Sequence, residues 1–307
     1  MAGVPPSTGF TGAAVAQLRF ARIGDAGAEV PVAVTSTGAA YDLRAIASDL
    51  DPTFWAADPV GRTREALASG ELVPIDVTDS SRFGPPVARP AAIICVGLNY
   101  AAHAAESGSA PPEHPVIFFK HPNTLAGPND AAILPRGSAR MDWEVELAVV
   151  IGKRARYLTS PDEALTHVAG YAISNDLSER AFQLEVSGGQ WSKGKCCETF
   201  NPMGPYVVPA DEVPDPQRLG LRTWVNGELR QSSSTADMIF GVGHLVWELS
   251  QHLVLEPGDV INTGTPEGVA LSGRFPYLEV GDHVRCEIDG LGAMDQVVTA
   301  APADPGG

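Results

Sequence analysis

Asp142-Trp143-Glu144-Val145-Glu146-Leu147-Ala148-Val149-Val150-Ile151-Gly152 is an apolar run opened by two glutamates one residue apart. The run predicts a buried strand. Side chains alternate across a strand, so Glu144 and Glu146 share one face, about 7 Å apart along it, while Val145, Leu147, Val149 and Ile151 pack on the other. Two like charges at the edge of a core are costly unless something positive sits between them. A divalent cation meets that need, and so does an Arg or Lys clamp; these residues alone leave the two open.

Around this strand, 307 residues with 44% hydrophobic and 19% charged side chains form a globular chain, with room for one large core or a large core plus a small domain. A net charge of −16 excludes a nucleic-acid partner, because little basic surface is present to displace counterions. No stretch is long and apolar enough to span a bilayer, and Met1 to Phe10 lacks the basic start and apolar middle of a signal peptide. Cys95, Cys196, Cys197 and Cys286 form no Cys-x-x-Cys pair, so neither a disulfide framework nor a zinc site is expected. The composition therefore points to a cytoplasmic, reduced, soluble protein.

Residues 1–85 mix short strand-like runs (Val15 to Ala21, Val30 to Val34) with an Ala-rich segment and are expected to form a small N-terminal domain. Prolines and a glycine between Ser80 and Pro90 predict a linker to about residue 90. Residues 91–303 then read as the catalytic, strand-rich domain, with strands at Ala91 to Val96, Val116 to Lys120, Trp143 to Ile151 and Val168 to Asn175. Asn226-Gly227 predicts a type I′ hairpin, since both residues take positive φ readily. Asp237 to Leu253 carries a helical stripe of Ile239, Val242, Leu245, Val246, Leu249 and Leu253.

A third carboxylate, Asp176, stands at the end of the strand Val168 to Asn175. Alone, Asp176-Leu177-Ser178-Glu179 fits a capping box with Asp176 as N-cap. Arg180 and Gln183 would stand above Asp176 on a helix, and Lys195 follows in Gln190-Trp191-Ser192-Lys193-Gly194-Lys195. Taken singly, each is an ordinary surface residue. Asn99-Tyr100-Ala101-Ala102-His103-Ala104-Ala105-Glu106 predicts a short helix with His103 and Glu106 at i and i+3, a general base and the carboxylate that orients it. A plain surface pair is the alternative. Gly97 and Gly108 bound this helix as a mobile lid. Lys120, in Phe118-Phe119-Lys120, reads equally as a pocket residue or as an amphipathic lysine at a strand end.

Taken together, Gly97-Leu98-Asn99-Tyr100 with His103 and Glu106, Glu144-x-Glu146-Leu147-Ala148, Asn175-Asp176, Gln183, Trp191 with Gly194-Lys195, and Gly258-Asp259-Val260-Ile261-Asn262-Thr263-Gly264-Thr265-Pro266 resemble the fumarylacetoacetate hydrolase family over about residues 91–300. The resemblance implies an α+β, β-rich fold, a mixed β-sandwich roll, assembled as a homodimer. It implies that Glu144, Glu146 and Asp176 hold one divalent cation per subunit, that Lys195 faces an enolate, that Arg180, Gln183 and Thr265 hold the substrate, and that His103 with Glu106 activates water. Three carboxylates form a hard oxygen set suited to Mg²⁺ or Mn²⁺ rather than Zn²⁺ or copper.

The reaction so implied is hydrolysis of the carbon–carbon bond of a 2,4-diketo acid of acylpyruvate type, releasing pyruvate. Asp176 to Lys195 is closest to a branch that includes 2,4-diketo-3-deoxy sugar-acid hydrolases, which points to a hydroxylated substrate. Oxaloacetate-type decarboxylation and enol isomerisation or hydration use the same metal–enolate core; a retained non-catalytic binding protein is a further alternative. Gly189-Gln190-Trp191-Ser192-Lys193-Gly194-Lys195-Cys196 is not read as a phosphate loop, because it neither follows a strand nor opens a helix of normal length. No Gly-x-Ser-x-Gly elbow exists, and a Cys196 or Cys197 nucleophile is less ordinary than a buried, inert thiol.

Overall fold

The computed structural model describes residues 17–78, 80–106, 108 and 110–302, so Met1 to Phe10 and the first two residues of the Val15 to Ala21 run lie outside it. The expected strand forms over Val145–Ile151, and every residue in it is buried. Its two faces enter two different cores. Val145, Leu147, Val149 and Ile151 join one core, while Ala148 and Val150, which continue the face of Glu146, join another with Phe20, Phe54 and Trp55. Burial on both faces explains why the run is continuously apolar beyond Glu146.

This strand is central in a large mixed sheet. Val168–Asn175 lies antiparallel on one side, with Val145 opposite Asn175, and Val260–Asn262 lies antiparallel on the other, with Ala148 opposite Asn262. Beyond Val260–Asn262 come Ile93–Gly97, parallel to it, and then Val116–Lys120, antiparallel. In the other direction Asn201–Pro209 pairs with Val168–Asn175, and Leu18–Ile23 pairs in turn with Asn201–Pro209 through Phe20 and Val207. The N-terminal strands are therefore hydrogen-bonded into the main sheet. Phe83–Gly84, inside the expected linker, is a short strand on Leu18–Ile23.

A second, five-stranded sheet packs across the first core. Its order is Glu228–Ser234, Gly220–Val225, His283–Ile288, Gly292–Ala300 and Ala132–Leu134. Leu221, Val284, Cys286, Ile288 and Met294 meet the apolar face of the central strand in one cluster with Leu245, Val246 and Leu249. The result is the mixed β-rich sandwich that the resemblance implied. The hairpin turn at Asn226-Gly227 forms as expected, with φ of 52° and 80°. Among the described residues no helix is long and apolar enough to cross a membrane.

Two local expectations are corrected. The helix expected from Asp237 begins instead at Val242 and runs to His252, after a separate 3₁₀ turn over Thr235–Asp237. Between them Asn99 captures the chain: its amide donates to Phe240 O (3.0 Å) and Thr263 O (2.7 Å), its side-chain oxygen accepts from Phe240 N (2.9 Å), and its backbone carbonyl accepts from Ile239 N (2.7 Å). Backbone groups held this way are unavailable to a helix. Second, Asp176 caps no helix. The N-cap of the helix Arg180–Leu184 is Glu179, whose carboxylate accepts from Phe182 N at 2.6 Å.

Asn99 is fully buried, so Asn99→Ala leaves the Phe240 and Thr263 backbone groups without partners. The expected cost is about 1–3 kcal/mol of unfolding free energy, read from urea denaturation. An unchanged midpoint would contradict this role.

Candidate active site

The pairing of Val145 with Asn175 makes Glu144 and Asp176 the next pair outward, and Asp176 N donates to Glu144 O at 2.9 Å. Opposite residues of an antiparallel pair point to the same face. One register therefore brings Asp176 beside the two glutamates that strand alternation already placed together. Carboxylate oxygens of Glu144, Glu146 and Asp176 lie within 4.8 Å of one another, all three residues buried.

Cations on neighbouring elements answer part of this charge. Lys195 Nζ donates to Glu144 Oε2 (2.7 Å) and Asp176 Oδ2 (2.9 Å). Arg180 Nη2 lies 2.7 Å from Glu144 Oε1, and its Nε donates to Asp142 Oδ2 at 2.8 Å. Lys120 Nζ donates to Asp176 Oδ1 and to Leu177 O. The sequence left Lys120 undecided; the register Ile93 to Lys120 at the end of its strand turns it inward, where its side chain is wholly buried. Asp142 was also missed. It accepts from Trp143 N, Ala270 N and Leu271 N besides Arg180, which ties the triad to the segment after Thr265.

Glu146 differs from its neighbours. Its Oε2 accepts from Gly264 N (2.7 Å), but it is in no ion pair among the described residues. Gly264 can present that N–H because it sits at φ +101°, where a Cβ would also meet Asn99 Cβ at 2.8 Å. Burial, with the Asp176 and Glu144 carboxylates beside it, pushes the Glu146 carboxyl well above its ordinary range. Glu144 is buried too, yet Lys195 and Arg180 outweigh that and hold its pKa far below the usual value. Burial opposes the charge of Lys195, but Asp176 and Glu144 overcome it and raise its pKa, so it remains an ammonium. The residues fit a cation: a buried, all-oxygen set in which one carboxylate lacks a positive partner.

The short helix Ala101–Glu106 forms as expected, with His103 Nδ1 3.9 Å from Glu106 Oε2. Burial raises the Glu106 pKa, but His103 and a hydrogen bond from Gly268 N (2.9 Å) bring it below the ordinary value. Of the segment that was to make this helix a lid, residues 107 and 109 lie outside the described residues. His103, Glu144, Glu146, Arg180, Gln183, Lys195 and Thr265 line one cavity of about 180 Å³. Two of these are already engaged. Gln183 Oε1 accepts from Arg180 Nη1 (2.9 Å), and Thr265 Oγ1 donates to Val145 O (2.9 Å) while accepting from Gln231 Nε2 (2.8 Å). Gln231, unread in the sequence, also accepts from Val145 N at 3.1 Å and so fixes the strand between the two glutamates. Trp191–Gly194 is a single 3₁₀ turn, which leaves no helix for a phosphate loop to open. Burial pushes the Cys197 thiol up to about 11, against a thiolate nucleophile.

The unequal environments of the two glutamates separate their variants. Glu144→Gln leaves Lys195 and Arg180 short of a counter-charge and should cost the metal-free fold about 3–5 kcal/mol. Glu146→Gln replaces a carboxyl whose ionisation burial and its neighbours already oppose, so it should not lower the melting temperature in EDTA, yet should erase the increment that Mn²⁺ gives the wild type. A fall in EDTA equal to that of Glu144→Gln would contradict the difference. Because the folded pKa of Glu146 is raised, its contribution is present at low pH and lost as pH climbs through the folded value. Bound metal requires the ionised form, so calorimetric Mn²⁺ affinity should rise with pH over that window, with proton release. Affinity independent of pH would contradict it.

The model for fumarylacetoacetate (FAA) hydrolase, C-terminal, matches residues 92–299. A Burkholderia ambifaria protein carrying a provisional hydrolase name is 45% identical over 282 residues, 91% of this chain and 98% of that protein. The structure of 5-carboxymethyl-2-hydroxymuconate delta-isomerase from Mycobacterium smegmatis is 33% identical, with a TM-score of 0.71, over 93% of this chain and 100% of that one. Maleylpyruvate hydrolase from Sphingobium sp. SYK-6, solved with manganese(II) and pyruvate, is 29% identical, with a TM-score of 0.76, over 92% and 100%. With its sheet, its buried acidic triad and the span of these matches, the chain belongs to the fumarylacetoacetate hydrolase family.

Proposed function

We propose that this protein hydrolyses the carbon–carbon bond of a 2,4-diketo acid of acylpyruvate type and releases pyruvate. The observation that carries the reading is the clustering of Glu144, Glu146 and Asp176, with both glutamates and His103 lining one cavity and Glu106 behind His103. Those three carboxylates would hold Mg²⁺ or Mn²⁺, which when bound supplies Lewis-acid polarisation of two chelating substrate oxygens.

The remaining chemistry falls to the chain itself. His103 Nδ1 faces Glu106 at 3.9 Å without a hydrogen bond; closing that gap would let Glu106 fix the tautomer and leave Nε2 to take a proton from water. Hydroxide adds to the carbonyl at carbon 4, the bond between carbons 3 and 4 breaks, and its electron pair stays on carbon 3 as the pyruvate enolate. That carbon is then protonated, and the acyl fragment leaves as a carboxylic acid. Lys195, kept charged by its carboxylate neighbours, lines the cavity and would stabilise the enolate charge as it develops. Arg180 and Gln183 contribute as a pair joined at 2.9 Å, Arg180 supporting Glu144 while Gln183 faces the cavity. Thr265 shapes the wall, its hydroxyl spent on Val145 and Gln231. The same reading has the protein act as a homodimer, checked by light scattering after size exclusion.

Similarity to the M. smegmatis delta-isomerase favours one second reading, enol isomerisation on the same constellation. Products separate the two. Incubation of 2,4-diketo acids with Mg²⁺ or Mn²⁺ should release pyruvate stoichiometrically with loss of diketone absorbance; a spectral shift without pyruvate would select isomerisation. His103→Ala should lower kcat by about 10²–10⁴ while leaving Mn²⁺ affinity unchanged. Wild-type turnover by that variant would remove the dyad from the mechanism.

A further inference from the structure

We propose that the site selects a diketo acid with a single carboxylate and an apolar, uncharged acyl tail, and turns away dicarboxylates and polyhydroxylated acids. This rests on the diketo-acid reading above and narrows it to a substrate class.

The first ground is the account of cations. Among the described residues, Arg180 and Lys195 are the Lys and Arg side chains lining the cavity, and both are committed. Arg180 serves Asp142 and Glu144, and Lys195 serves Glu144 and Asp176. The third buried cation, Lys120, is spent on Asp176 and Leu177 O. A second substrate carboxylate would thus meet Glu144 and Glu146 in the same cavity with no cation of its own. Burying a charge without a partner is strongly unfavourable.

The second ground is the account of neutral hydrogen-bonding groups. Thr265 Oγ1 both donates and accepts within the protein and Gln183 Oε1 is held by Arg180, which leaves the Gln183 amide N–H groups and the His103 ring as the neutral polar side-chain groups at the cavity. A tail carrying several hydroxyls would bury more polar groups than the wall can satisfy.

Apart from His103, what remains of the wall is apolar and includes Leu98, Phe118, Leu184, Trp191 and Leu271. Phe118 and Trp191 meet edge to face, with centroids 5.8 Å apart. The Trp191 ring lies so close to Gly97 that a Cβ there would meet it at 2.6 Å, which seats the indole against the backbone. Leu184 remains 48% exposed, so an apolar tail would remove its surface from water. At about 180 Å³ the cavity is smaller than the ~300–1,000 Å³ typical of drug-sized ligands, which limits the tail to a few carbons.

The test uses the Mn²⁺-loaded full-length protein. Calorimetric binding of 2-oxohexanoate should be at least about 10-fold tighter than that of 2-oxohexanedioate, which has the same chain length. In kinetics, kcat/KM for 2,4-dioxooctanoate should exceed that for 2,4-dioxooctanedioate by about 100-fold or more. Leu184→Arg, at a partly exposed position, should narrow the binding gap by giving the second carboxylate a partner; Leu271→Arg is the companion variant. Equal or tighter binding of the dioic acid, or a gap unchanged in both variants, would overturn the inference. Absence of turnover on every diketo acid with the binding preference intact would sink the hydrolase reading alone. Equal turnover of both tails would sink the tail selectivity alone.

Discussion

Asp142, Glu144, Glu146 and Asp176 are buried together against Lys120, Arg180 and Lys195, four carboxylates facing three cations. Charges taken out of water are tolerated only when paired and hydrogen-bonded. Three of the acids meet that condition. Glu146, on the same face as Glu144, has only a glycine N–H. The site is therefore built one positive charge short, and it is short at the position where an oxygen-ligated cation would join all three ligands. The two lysines and the arginine hold the acids in place without neutralising them completely.

The fold exists around this arrangement in a physically specific way. A strand at the middle of a large sheet, buried on both faces, supplies rigidity that a loop would not. Its partner strand contributes Asp176 through register alone, and the strand on its other side leads into Gly264, whose positive φ aims an N–H at Glu146. Asn99 then stitches the start of the His103 helix to Phe240 and Thr263, so His103 and the acidic triad share one framework. Gln231 and Asn175 hold the backbone N–H groups of Val145 and Glu144. None of these amides touches the cavity, yet each fixes a residue that does or its immediate neighbour.

Much of the centre was legible in the residues because it obeys local rules. Alternation along a strand puts Glu144 and Glu146 together whatever the rest of the chain does, and i, i+3 spacing puts His103 near Glu106. Order and spacing of motifs supplied the remaining proposed ligand, Asp176, by resemblance. What escaped was decided by distant partners. Asp176 followed by Glu179 imitates a capping box, but Glu179 does the capping and Asp176 is drawn inward by two lysines. The helical stripe from Asp237 is real only from Val242, because Asn99, far away in the chain, takes the backbone before it. Lys120 read equally as a pocket residue or as an ordinary lysine at a strand end; only the pairing of its strand reveals that it is buried.

The substrate side follows from the same accounting of charge. On the proposed selectivity, Arg180, Lys195 and Lys120 are engaged by Asp142, Glu144 and Asp176 and leave no cation for a second substrate carboxylate, so the electrostatics that assemble the centre would also restrict what enters it. The most direct measurement of the central claim is anomalous diffraction from crystals grown with Mn²⁺. One peak per subunit within about 2.0–2.3 Å of oxygens from Glu144, Glu146 and Asp176 is the expected result. A map with no peak there, and Lys195 still bridging Glu144 and Asp176, would contradict it.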